Sequence, residues 1–117
     1  MSERKRYLAN AFSLNMLAYP HTTITIREIS LDELKQELSH GFISAIGHEA
    51  TAQFLTKLLG IPVQTNRAQI TLSSVDDIIY VFQLLARLPE GKVLTEEEIK
   101  NIKFKIFAVT LDSYYVR

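Results

Sequence analysis

Residues 42–55 constrain the fold more than any other stretch of the chain. Phe42-Ile43-Ser44-Ala45-Ile46 is a short, mostly apolar run suited to a strand; Gly47 ends it, and a helical pattern follows. Ala52, Leu55, Leu58 and Leu59 recur at helical spacing, and Gly60 with Pro62 beyond it supplies the stop. The spacing therefore predicts a helix that ends at about Leu59. His48 stands at the junction, and counting back four residues from Ala52 places it over the N-terminal end of the same helix face. An imidazole there sits beside unpaired backbone N–H groups and the positive end of the helix dipole, where an anion is attracted. The plainer reading is a structural histidine beside an apolar face.

The other elements follow from shorter signals. Tyr7-Leu8-Ala9 reads as a first strand, and the β-branched alternation of residues 22–29 as a second. Ser30-x-x-Glu33 is a capping-box pattern opening a helix with Leu31, Leu34 and Leu38 on its core face. His40 and Gly41 end that helix, with His40 read as a C-terminal or exposed histidine. Residues 69–72 read as a short strand, Ser73 or Ser74 as a cap, and residues 75–88 as a long helix stopped by Pro89. Thr95-x-x-Glu98 caps a last short helix, and residues 104–111 alternate as a closing strand. The expected fold is α/β (α+β): one domain over residues 7–111, a mixed sheet of about five strands flanked by helices. Charged residues 1–6 and residues 112–117 form tails, the latter able to extend the last strand.

In the expected 75–88 helix, Val75, Ile78, Ile79, Phe82, Leu85 and Ala86 make a core stripe, and Val81, Leu84 and Leu88 a second apolar flank. Asp76, Tyr80, Gln83 and Arg87 then fall within roughly 60° of one another as a polar ridge. Such a helix is wrapped on two sides, by the rest of the domain or by a second subunit; a homodimer is the favoured choice for so small a chain.

Composition narrows the function. Thirteen basic and thirteen acidic residues cancel, which disfavours a protein coating long nucleic acid. No apolar run is long enough to span a bilayer and no secretory segment opens the chain, so a cytoplasmic protein without a membrane partner is expected. The absence of cysteine removes disulfides, thiolate metal sites and cysteine nucleophiles. His21, His40 and His48 are dispersed and share no metal-ligand spacing, so neither metal nor cofactor is expected. What remains is an anion-binding, proton-transfer set of His, Arg, Gln, Asn and Ser. Asn10 and Ser13 read equally as turn or cap residues and as ligand contacts. Arg67 could meet a structural carboxylate or a phosphate, and Arg87 with Glu90 could form a surface ion pair or a carboxylate-held guanidinium presented to phosphate. RNA suits the set, because its own 2′-OH can attack the adjacent phosphorus.

Four motifs occur together and in order: Tyr7 to Ser13 (YLANAFS), Ile46-Gly47-His48-Glu49-Ala50-Thr51, Asn66-Arg67, and Gln83-x-x-x-Arg87-Leu88-x-Glu90-Gly91. Each alone is weak; four in register over residues 7–109 are strong. The set resembles the viral anti-CRISPR ring nucleases that act against type III systems. The resemblance implies a small homodimer on a mixed sheet, with cyclic tetra-adenylate lying across the two-fold axis. It further implies cleavage without metal to linear di-adenylate carrying a 2′,3′-cyclic phosphate. His48 matches the family's general acid, Arg87 and Glu90 its active-site pair, and Asn10, Ser13, Arg67 and Gln83 positions lining the ring. A family hydroxyl two places after the histidine is Ala50 here, which makes the following Thr51 the candidate contact. Two rivals are a module that sequesters cyclic nucleotide without cutting it and a small dimeric DNA-binding regulator.

Overall fold

In a computed structural model, residues 4–85 and 95–115 are described. Their order is β1 (Arg6–Ala9), a 3-10 turn (Leu14–Met16), β2 (His21–Ile29), α1 (Leu31–Leu38), β3 (Ile43–Ser44), α2 (Glu49–Leu59), β4 (Ile78–Leu84), α3 (Glu96–Lys100) and β5 (Phe104–Tyr115). The five strands form one mixed sheet in the order β2-β5-β4-β1-β3. β1 runs parallel to β3 and β4, and β5 runs antiparallel to β2 and β4. This is the expected α+β architecture, with β5 carried on through residues 112–115 by its pairing with the start of β2.

Alternation along the strands builds a core on each face. Leu8, Ile78, Tyr80, Phe82, Ile106 and Ala108 pack with Leu34 and Leu38 of α1, Ala52, Phe54, Leu55 and Leu59 of α2, and Ile99 of α3. Ala9, Ile79, Val81, Val109 and Leu111 point the other way and are covered by loop residues Ile70, Leu72, Phe12, Met16, Leu17 and Tyr19. Helices thus lie on one face and extended loops on the other. α1 begins at Ser30, whose hydroxyl accepts from the Glu33 N–H at 3.1 Å. Only this half of the expected box forms, because the Glu33 carboxylate turns to Arg27 at 2.7 Å. α2 ends at Gly60 in the left-handed conformation (φ 69°), a geometry that glycine adopts without strain. Thr95 and Glu98 form a complete capping box on α3.

Over its described part, residues 75–85, the expected helix is replaced by a turn and a strand. The Ser74 hydroxyl accepts from the Asp76 N–H at 3.2 Å and the Ser74 carbonyl from the Asp77 N–H at 3.1 Å; β4 then begins. Ile78 to Phe82 are all buried, as a central strand covered on both faces requires. A continuous apolar run can be fitted to a 3.6-residue period by selecting some of its members, and here the β-branched and aromatic content decides for strand. The polar ridge does not exist: Tyr80 and Gln83, three apart on a strand, belong to opposite faces. Within β4 the two-sided apolar pattern is satisfied by the chain's own two cores, so Ile78, Ile79, Val81, Phe82 and Leu84 carry no argument for a second subunit, while Val75 and Leu85 are exposed. Residues 69–72 likewise form no strand; Leu72 makes one isolated parallel bridge to Leu17 while Ile70 and Leu72 fill the second core.

Candidate active site at the strand ends

Because β1, β3 and β4 are parallel, their C-terminal ends share one edge of the sheet, and the residues that follow them converge there. Asn10 lies at the bend directly after β1. β3 leads through Ala45, whose N–H donates to the Leu8 carbonyl at 2.8 Å, to Gly47 and His48. β4 delivers Gln83, two residues past the Ala9–Val81 pair. Open parallel sheets bind ligands at such strand ends.

His48 is the N-cap of α2, extended (φ −123°, ψ 131°) and exposed, and its side chain makes no capping bond. The imidazole is therefore not occupied in closing the helix, and the first-turn N–H groups of α2 are not closed by it. Beside it runs the 64–67 loop. Thr65 bridges Ile46 in parallel, the Asn66 N–H donates to the Ile46 carbonyl at 2.8 Å, and the Asn66 amide donates to the Ser44 carbonyl at 2.7 Å. This brings Arg67 to the residue before the histidine: Arg67 Nε donates to the Gly47 carbonyl at 3.2 Å. Among the described residues Arg67 has no carboxylate partner, so its guanidinium is held by backbone and keeps donors for an anion.

The remaining candidates divide. Ser13 is exposed, and its hydroxyl accepts from the Asn15 N–H at 3.3 Å, capping the 3-10 turn as its plainer reading expects. Gln83 is exposed, with Nε2 donating to the Leu84 carbonyl at 3.2 Å. Thr51 is only 8% exposed in the first turn of α2. Arg87 and Glu90 lie outside the described residues. Tyr80 belongs to the helical face: its hydroxyl donates to Glu37 of α1 at 2.7 Å. Burial first, and then Glu37, hold that phenol well above the ordinary tyrosine range. Asp76 stays in the turn at the opposite end of β4, so neither joins the strand-end cluster. Asn66 entered the sequence reading only as part of the Asn66-Arg67 motif, with no role of its own, and Ser44 was given none.

Among the described residues no three His, Asp or Glu side chains gather to hold a metal ion, and no helix is long and apolar enough to cross a membrane.

A family model described as STIV B116-like matches residues 6–106. "Uncharacterized protein 26" of Sulfolobus islandicus filamentous virus (isolate Iceland/Hveragerdi) is 36% identical over 110 residues, 92% of each chain. YddF of Bacillus subtilis (strain 168) is 38% identical over 86 residues, 71% of this chain and 79% of its own. The solved structure of B116 of Sulfolobus turreted icosahedral virus matches with a TM-score of 0.82 at 34% identity, covering 91% of this chain and 98% of that one.

Proposed function

The chain belongs to the STIV B116-like family, and on that premise we propose that it is a metal-independent ring nuclease cleaving cyclic tetra-adenylate. The observation that carries the reading is the pairing, at one edge of the sheet, of an uncommitted His48 at the α2 N-terminus with Arg67 held at Gly47. A phosphodiester placed there meets the N–H groups of the first α2 turn, a guanidinium and an imidazole. Its neighbouring ribose 2′-OH attacks phosphorus in line, the O2′–P bond forming as the P–O5′ bond breaks. His48 gives a proton to the departing 5′ oxygen, and the cationic groups stabilise the charge that builds on the phosphoryl oxygens. The products are linear di-adenylates ending in 2′,3′-cyclic phosphate. Arg87 supports the phosphoryl charge and Glu90 orients it; Asn10, Ser13, Thr51 and Gln83 contact the ring.

Symmetry favours a homodimer for this reading, because a cyclic tetranucleotide has a two-fold axis that two copies of one chain can share. A tetranucleotide ring would lie across the open strand-end edge, and a second copy related by a two-fold axis both covers it and supplies a second His48. The biological consequence is removal of the messenger that drives type III CRISPR ancillary nucleases. Long nucleic acid and membranes are not partners.

The test is incubation of the protein with labelled cyclic tetra-adenylate in EDTA, products resolved by chromatography and mass. Linear di-adenylate with cyclic-phosphate ends is the expected result. Intact ring that is tightly bound moves the protein to the sequestering class. Neither binding nor cleavage removes the substrate, and salt-sensitive duplex binding in its place would favour the DNA-binding regulator.

A further inference from the structure

β3 is an edge strand, and the outward acceptors of β3 and the residues that continue it are the carbonyls of Ser44 and Ile46, since Ala45 between them bonds inward to Leu8. Open acceptors on an edge are normally covered or blocked. The 64–67 segment covers these, but not as a strand. Asn66 satisfies both from a single residue: its N–H takes the Ile46 carbonyl and its side-chain amide reaches back to the Ser44 carbonyl. Ser44, 8% exposed, completes the attachment. Its hydroxyl donates to the Gln64 carbonyl at 2.6 Å and accepts from the Ile46 N–H at 3.3 Å. The tripeptide before Arg67 is thus fixed at both ends.

Arg67 itself lies across Gly47: a Cβ built on that glycine would stand 3.4 Å from Arg67 Cγ. With its backbone anchored at Asn66 and its Nε bonded to Gly47, the planar guanidinium has its orientation defined, and four of its five N–H donors remain outside that bond. An exposed arginine without such an anchor samples many rotamers, and ordering it on a ligand lowers affinity and rate.

We propose that Asn66, with Ser44 beneath it, is a positioning residue that aims the Arg67 guanidinium at the phosphodiester served by His48. The catalytic half of this inference rests on the ring-nuclease reading; the geometric half does not. Two measurements on the full chain test it. In the first, cleavage of cyclic tetra-adenylate is compared for the wild type, Asn66→Ala, Arg67→Ala and the double variant. Asn66→Ala is expected to lower kcat/KM about tenfold in the wild type and less than about twofold beside Arg67→Ala, the non-additivity of residues acting through one another. Ser44→Ala is expected to follow the same pattern. Equal losses in both backgrounds, or no loss, overturn the proposal. The second measurement needs no substrate: the Arg67 Nε–H resonance by NMR. It is expected to be dispersed and slow to exchange in the wild type and to become exchange-averaged in Asn66→Ala. An unchanged signal overturns the clamp. Should the wild type neither bind nor cut the ring, the proposed activity fails by itself, and the Nε–H signal still decides the clamp.

Discussion

Replacing His48 by alanine separates chemistry from architecture, because the structure gives this side chain so little structural work. It is exposed and makes no capping bond, and the bonds around it use the backbone carbonyls of Gly47 and His48, which alanine keeps. An N-cap side chain that bonds the first turn is worth about 0.5–2 kcal/mol, but His48 makes no such bond. The expected cost in stability is therefore under about 0.5 kcal/mol, a fall in melting temperature of about 3 °C or less for a domain of this size. Loss of a general acid costs about a hundredfold to ten-thousandfold in rate, or about 2.7–5.4 kcal/mol in the barrier. The kinetic effect should exceed the stability effect at least fivefold. The assay pairs single-turnover cleavage of the ring with thermal melting of the same samples and equilibrium binding of the ring. A melting temperature lowered by more than about 5 °C, with binding and cleavage falling together, would make His48 structural. Cleavage reduced less than about threefold would remove it as the acid.

Three further outcomes are expected. Tyr80→Phe removes the hydroxyl bonded to Glu37 and should cost about 1–2 kcal/mol in urea unfolding without touching cleavage, since it faces α1. Its pH dependence has a defined sign: the folded phenol keeps its proton where the unfolded chain loses it, so wild-type stability falls as pH rises above about 10, and the variant lacks that part of the fall; parallel curves would refute this. Gly47→Ala puts a methyl in van der Waals contact with the Arg67 stem and keeps the carbonyl that Arg67 Nε uses, so cleavage and melting should stay close to wild type; a loss of cleavage of about tenfold or more would show that Arg67 must move toward Gly47 during turnover. Arg87→Lys should reduce turnover about tenfold or more, because an ammonium cannot reproduce the guanidinium fork, and retained activity removes Arg87 from the transition state.

Several of the elements read correctly from sequence carry polar positions on one face. β2 alternates, α1 carries Leu34 and Leu38 behind a Ser30 cap, and α2 runs from an uncapped His48 to a left-handed Gly60. Polar positions in these segments reveal the period. β4 has no wet face over residues 78–82, and without exposed polar positions the period has no phase, so Ile78, Ile79 and Phe82 fitted a helix while Tyr80 was left for a polar ridge and Val81 for a flank. The Asn66–Ser44 attachment was unreadable for a different reason. It joins residues 22 apart through a side chain, and nothing local to either residue announces it.

The change from helix to strand also changes the company that Gln83 keeps, and the reason is topological. A helix over residues 75–88 would have gathered Gln83 and Arg87 along one ridge; the strand instead gathers Gln83 with Asn10 and His48 through the parallel register of β4, β1 and β3. The difference has consequences. On a helix, Asp76 and Tyr80 would share the ligand with Gln83, whereas on the strand Tyr80 is bonded to α1 and Asp76 sits at the far end. The cationic character of the edge then depends on residues that arrive by loops, Arg67 above all, and a loop residue is only as well placed as its anchor. On the proposed reading, chemistry at His48 would then depend on the segment of β3 and its continuation whose Ser44 and Ile46 carbonyls are taken by Asn66.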